Sequence, residues 1–547
     1  MGGGQGYTLS SMKKDGVIAA GSSQSADAAE EMLQRGGNAV DAAVAAAFAT
    51  AAGDPAITSL AGGGILLYMD GLSGQAEVCD LFSGAPGLGG KRHSRQGATE
   101  LPPLDFMDWE VDFGAGETRQ TFHCGRAAAA APGVLQGLCA VRDRWATLPL
   151  KVLLEPTVRF LRDGFALSEY QARCNHVLEG ILCRSELGRE LYFDANSRLL
   201  EPGDRFSNSA QADFLERLGA EGIEQVHRDV IAPAILSEFG EEQGGWITRD
   251  DLFSWRPIFR QALELDYRGA RILTHPLPSF GGPLLLHTLD LFRRMSLAKT
   301  KAGSEERFFC LAAVFRAVSE SRAARPDFVH RRDAAEVLGS RLESILRGDV
   351  GEASAPEPRP PGNTTHISVV DSDCNAVSVT LSYGEGNGYE IPGTGVLMNN
   401  FLGEADLFPE GFHKFTPGAR LSTMMAPTFL VEPSGALTAL GSGGSNRIRT
   451  VISQVVSALL DDGLGPEAAV QQGRIHYEDG VLSAETYLLP ESPRLLASAK
   501  RLARSTKTFD APSLFFGGVH VACRGADGRL EGVGDARRGG AVRRVEA

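Results

Sequence analysis

Gly362-Asn363-Thr364-Thr365-His366 is the segment of this sequence whose residue types could do chemistry together. It ends a run over 348–363, GDVGEASAPEPRPPGN, that holds four prolines and three glycines. Such a run reads as an exposed, extended connector. Where a connector meets a strand, a hydroxyl side chain can attack the carbonyl before it. The peptide becomes an ester, and its release leaves a new N-terminus. A freed Thr364 would then carry nucleophile and base in one residue. The hydroxyl is weak unaided, and an α-amine titrates near about 7.7–8.0, close to the pH at which general bases work best. The uncut chain is inert under this scheme because that nitrogen is locked in a peptide bond. On residue types alone a plain strand start fits the same segment, since threonine favours strands. Asn363-Thr364-Thr365 also spells a glycosylation acceptor, which is idle without a secretory signal.

Other motifs fail. Gly90-Lys91 resembles part of a phosphate loop, but the first glycine is replaced by Ala85 and the hydroxyl residue by Arg92. There is no G-x-S-x-G elbow and no H-E-x-x-H. The run Gly384-Glu385-Gly386-Asn387-Gly388 does not open a helix, as a dinucleotide loop must. The histidines are scattered, so no metal and no cofactor is expected.

The elements that must position the junction are legible around it. TTHISVVDSDCNAVSVTLSYG, from residue 364, reads as two β-branched strands joined by a turn at Asp371–Asn375. Residues 22–35 read as a helix stopped by Gly36-Gly37. Asn38 can cap a second helix, AVDAAVAAAFATAA, whose small residues on all sides suit tight packing between layers. Gly62-Gly63-Gly64 reads as a packing turn leading into a buried strand, ILLYM. Residues 83–130 read as irregular. Helices dominate from Pro132-Gly133 to about residue 235, and strands with turns fill 246–283. A long helical stretch then runs to about Arg347. Beyond the connector, strands and Gly-rich turns alternate with one clear helix at about 447–462.

Composition narrows the classes. With 547 residues the prior is about three to four domains or one large layered unit. Acidic residues outnumber basic ones, 68 to 54, a net charge of −14. That balance argues against nucleic-acid partners and anionic membrane surfaces. No stretch is long and apolar enough to span a membrane. The first residues lack the apolar core of a secretory signal, so a cytoplasmic location is expected. The eight cysteines form no C-x-x-C pair and read as free thiols used as small apolar residues.

Several ordered segments carry a resemblance. They include GGNAVDAAVA at 36–45, P…GGG at 55–64, RFLRDGFALS at 159–168 and GGWITRDDL at 244–252. YRG…PSFGG at 267–282, TTHISVVD at 364–371, LMNNFLGEADL at 397–407, RLSTMMAPT at 420–428, LGSGGSNRIR at 440–449 and RIHYE at 474–478 continue it. The chain resembles the γ-glutamyltransferase (glutathione hydrolase) family of N-terminal nucleophile hydrolases, in a bacterial branch with an altered substrate clamp. The resemblance implies an α/β (α+β) fold, a four-layer αββα sandwich formed by two chains cut from one precursor at Asn363–Thr364. The large piece would be 1–363 and the small piece 364–547, paired with each other and acting on a small-molecule amide.

Residue by residue, Thr364 matches the nucleophile and Ser382 a second hydroxyl near its amine. Gly444 and Ser445 match the paired glycines whose amides form the oxyanion hole. Ser422 and Thr423 match two hydroxyls that hold the substrate carboxylate, and Glu404 the acid that grips its α-amino group. The departures concern that clamp. The family's arginine falls near Phe82, and a phenyl ring cannot supply a guanidinium fork. A polar position becomes Phe401, and an asparagine falls at Tyr383 or Gly384. Arg92, Arg95 or Arg126 are candidates to replace the arginine from another loop. The family-typical γ-glutamyl amide is therefore one reading. The same threonine chemistry on another acyl group is a second, and an uncleaved scaffold a third.

Overall fold

The structure, a computed structural model, describes residues 13–94, 101–112, 119–348, 364–408, 411–486 and 501–546. The strands that build the site are β1 (Gly16–Ala20), β2 (Gly63–Met69), β3 (Ala76–Asp80), β4 (Met107–Asp112) and β5 (Arg119–Cys124). They continue with β6 (Ile258–Gln261), β7 (Leu263–Tyr267), β8 (Ala270–Thr274), β9 (Thr365–Asp371) and β10 (Ala376–Ser382). The last are β11 (Thr428–Val431), β12 (Leu437–Gly443), β13 (Gly518–Arg524), β14 (Leu530–Val533) and β15 (Ala541–Val545). One antiparallel sheet runs β15-β1-β9-β10-β2-β3-β6, and a second runs β14-β13-β12-β11-β8-β7. Strands from before and after residue 364 thus interleave in the first sheet and meet side by side, β11 against β8, in the second.

The two sheets face one another through β9, β10 and β1 against β12 and β13. Helices α1 (Ser23–Gln34) and α2 (Ala39–Gly53) cover the outer face of the first sheet. Helices α3 (Gly281–Arg294) and α4 (Ile448–Leu460) cover the second. The layers are therefore helices, sheet, sheet, helices.

The sequence explains the placement of α2. Asn38 accepts from the amides of Val40 and Asp41, and the Asp41 carboxylate accepts from the Asn38 amide, a reciprocal cap. Every residue from Ala39 to Gly53 is buried, which only a helix of small side chains allows at this depth. Strand β9 is buried throughout and shows the two-residue period in its contacts. Ile367 and Val369 join the core shared with α2, whereas Val370 joins the core between the sheets. Each such β-branched side chain contributes about 1.5–3 kcal/mol when buried.

One expectation needs correction. Within the segment read as irregular, β4 and β5 pair antiparallel from Met107↔Cys124 to Asp112↔Arg119. The alternation of Met107, Trp109 and Val111 was the available signal, and Gly-rich flanks obscured it. Apart from Gly348, the connector 348–363 lies outside the described residues, as do Asn363 and Arg95. The eight cysteines are free, five of them buried. Among the described residues, no helix is long and apolar enough to cross a membrane.

Candidate active site

Thr364 stands immediately before β9, and the strand register decides its neighbours. Thr365 pairs with Leu381, so Thr364 and Ser382 meet at the end of the β9–β10 ladder. The two-residue period turns Thr365 toward the helical layer, where its hydroxyl donates to Asp54 Oδ2 at 3.1 Å. It turns Thr364, like His366 and Ser368, toward the second sheet, where Ser368 bonds the His520 carbonyl at 3.1 Å. Thr364 is 6 % exposed and opens onto a cavity between the sheets. That cavity is lined by Phe82, Thr364, Ser382, Phe401, Glu404, Asp406, Leu407, Thr423, Met424, Met425, Ser445 and Ile448.

Behind Thr364 the backbone is fixed from two sides. Arg538, itself buried, reaches the Thr364 carbonyl from Nη1 at 3.4 Å and the Leu514 carbonyl from Nε at 3.2 Å. Gly443 lies so close that a Cβ there would stand 2.0 Å from the Thr364 carbonyl oxygen. Only glycine permits that approach. The next residue, Gly444, has φ +120, a conformation other residues rarely adopt. Ser445 follows with φ +49, in the left-handed region, and its Oγ donates to Asp406 Oδ2 at 2.9 Å. The turn thus begins directly beside Thr364.

Ser382 Oγ accepts from the Gly384 amide at 3.0 Å. Thr423 lines the cavity, its amide donating to Ser279 Oγ at 3.2 Å and its hydroxyl accepting from the Met425 amide at 3.2 Å. Ser422, its partner in the sequence reading, does not line the cavity. Its hydroxyl donates to the Pro278 carbonyl at 3.2 Å.

The residues that the resemblance sets against a γ-glutamyl clamp are placed as follows. The Phe82 and Phe401 rings, each 1 % exposed, lie 4.7 Å apart and tilted by 34°. Arg92 does not line the cavity. It donates to the Pro102 and Glu241 carbonyls at 2.9 and 3.0 Å and lies over Trp246. Arg126 is held by Asp105 at 3.0 Å and Glu238 at 2.5 Å, over the Tyr389 ring. Tyr383 is buried, with its hydroxyl on the Ala56 carbonyl at 3.3 Å.

Glu404 lines the cavity with its Oε1 buried and unpartnered among the described residues. Burial, then Glu385, then Asp406, pushes its pKa well above the usual carboxylate range. Glu385 is pushed up to about 7 by burial, opposed by its bond from Asn400. These surroundings favour the neutral form of Glu404. Asp54, on the far side of β9, is also pushed up to about 7 by burial, against bonds from Thr365 and Ser22.

Sequence reasoning did not single out Asp54, Asp406 or Arg538. Asp406 sits within the LMNNFLGEADL motif, two residues beyond Glu404, and Asp54 precedes the proline of P…GGG. Their positions in matched segments were the available signal. Gly62 behaves as a packing residue, since a Cβ there would stand 2.1 Å from the Ser382 carbonyl oxygen. Among the described residues no group of three or more His, Cys, Asp or Glu is placed to hold a metal ion.

The chain is 27% identical over 519 residues to a glutathione hydrolase proenzyme of Bacillus subtilis subsp. natto, covering 87% of this chain and 84% of that protein. It is 29% identical over 528 residues to the acylase ACY 1 proenzyme of Pseudomonas sp. (strain SE83), covering 92% and 89%. The crystal structure of cephalosporin acylase from Bacillus halodurans superposes with a TM-score of 0.78 at 22% identity, covering all of both chains, and so shares the fold. The Gamma-glutamyltranspeptidase family model matches residues 25–545, nearly the whole length. This chain belongs to the gamma-glutamyltranspeptidase family, and it is an enzyme of that family's hydrolase type.

Proposed function

We propose that this protein is a self-processing amide hydrolase with Thr364 as its N-terminal nucleophile, acting on amides whose acyl group is more apolar than γ-glutamyl. Cleavage at Asn363–Thr364 gives a large piece, 1–363, and a small piece, 364–547, which stay together because both contribute strands to each of the two sheets. The freed α-amine takes the proton from Thr364 Oγ as the oxygen attacks the amide carbonyl. Amides of Gly444 and Ser445 stabilise the oxyanion. The proton passes to the departing amine, which leaves an ester on Thr364. Water, or an acceptor amine, then cleaves that ester and restores the hydroxyl. Ser382 orients the α-amine.

The observation that carries the acyl preference is the Phe82–Phe401 ring pair in the wall of the cavity, with Arg92 and Arg126 engaged elsewhere. Loss of a charged partner costs about 1.5–3 kcal/mol, roughly ten- to hundredfold in affinity. The likeness to an acylase proenzyme supports the same reading. A γ-glutamyl substrate is the second reading, favoured by the unpartnered Glu404 oxygen and by Thr423 in the same cavity. A panel of acyl p-nitroanilides separates them. Turnover of phenylacetyl or alkanoyl anilides above the γ-glutamyl compound supports the proposal, and the reverse order rejects it.

A further inference from the structure

We propose that Asp406 is a positioning residue for this reaction, holding the turn 444–446 in the shape that aims the Gly444 and Ser445 amides at the oxyanion. The inference rests on the functional reading above, in which those amides form the oxyanion hole.

Asp406 lies on the short helical turn Ala405–Leu407, just beyond Glu404. Its Oδ2 accepts two bonds from the turn, from Ser445 Oγ at 2.9 Å and from Asn446 Nδ2 at 2.8 Å. Asn446 has other anchors, since it donates to Glu478 Oε1 at 2.6 Å and accepts from Arg322. The side-chain bond recorded for Ser445 in this turn is the one to Asp406.

That difference matters because of backbone conformation. Ser445 has φ +49, where a residue with a Cβ is at a disadvantage to glycine. The family resemblance places a glycine at this position. A serine can hold the same turn if its hydroxyl finds a local acceptor, and Asp406 supplies one. Asp406 and Ser445 are thus a matched pair: the side chain that makes the left-handed conformation costly also ties it down. The amide of Ser445 belongs to the same residue, so slack in the turn moves a proposed oxyanion donor directly. Donors of this kind act only when fixed in advance.

Asp406 also lines the cavity, so a direct contact with substrate is the rival explanation. Coupling to Ser445 separates the two. The test measures kcat and KM on the acyl p-nitroanilide that the processed protein turns over best, for wild type, D406A, D406N, S445A, S445G and D406A/S445G. D406A is expected to lower kcat about tenfold with KM within about twofold. D406N keeps an acceptor oxygen for Ser445 and is expected to recover to within about threefold of wild type. Starting from S445G, D406A is expected to cost at most about twofold more. S445A keeps the Cβ but loses the bond, so its kcat should fall below that of S445G by about tenfold.

An equal loss from D406A in both backgrounds, a loss carried by KM, or no loss would overturn the proposal. If D406A does not yield folded protein, S445A with kcat equal to S445G overturns it alone. Failure of the underlying reading looks different: no anilide is turned over by wild type, or T364A stays active.

Discussion

Phe82 and Phe401 come from segments more than 300 residues apart, yet their ring centroids lie 4.7 Å apart in the wall of the cavity that Thr364 enters. By the resemblance, Phe82 falls where the family has its arginine, and the proposed function reads the pair as an apolar acyl-binding wall. Phe401→Gln breaks the apolar face while keeping similar bulk. The ratio of kcat/KM for phenylacetyl over γ-glutamyl anilide should fall about ten- to hundredfold, the worth of one buried apolar side chain. Steady-state kinetics on the two anilides checks it, and an unchanged ratio contradicts the assigned role.

Gly444 has φ +120, which leaves no comfortable place for a Cβ. Gly444→Ala should strain the turn and displace the proposed oxyanion amides. A loss of about 10²–10³ in kcat, with KM changed only a few-fold, is expected. Kinetics at saturating substrate reads it directly. A loss in KM alone would place Gly444 in binding.

Asp54 has its pKa raised to about 7 from an ordinary 3.8, chiefly by burial. Between those two values the folded state holds a proton that the unfolded state has released. Stability from this group is therefore full below about pH 3.8 and lost as pH rises through about 7. The loss is at most about 4 kcal/mol. Asp54→Asn keeps an acceptor for Thr365 and removes the titration. Its Tm should exceed that of wild type by more at pH 8 than at pH 5. Thermal melts at the two pH values decide it, and a constant difference would show that Asp54 does not titrate there.

Thr364→Ala removes the attacking oxygen for both cleavage and turnover. The wild-type chain should run on a denaturing gel as pieces of about 39 and 20 kDa, at roughly 106 Da per residue. T364A should run as one band near 58.2 kDa and remain folded. Two bands from T364A would remove the self-cleavage mechanism.

What the sequence revealed and what it hid follow from the range of the interactions. The Asn38–Asp41 cap, the buried Ala-rich helix and the alternation in THISVVD are local, so residue types and spacing sufficed to read them. The hairpin Met107–Cys124 was equally local, but its alternation lay among glycines that suggested loop. The ring pair Phe82–Phe401 is a long-range contact. Only the resemblance hinted at it, by placing both positions in one clamp. Fully hidden were the facts that depend on packing. Arg92 and Arg126 are consumed by carbonyls and carboxylates elsewhere, and Ser422 turns to Pro278 while Thr423 enters the cavity. The shift of Glu404 toward its neutral form comes first from burial and then from Glu385 and Asp406 nearby, which no spacing rule predicts.

N-terminal sequencing of the small chain from active, purified protein tests the central claim most directly. The account predicts a single sequence opening Thr-Thr-His-Ile, from Thr364 onward. An active protein that yields no such terminus, or a small chain starting at any other residue, would contradict it.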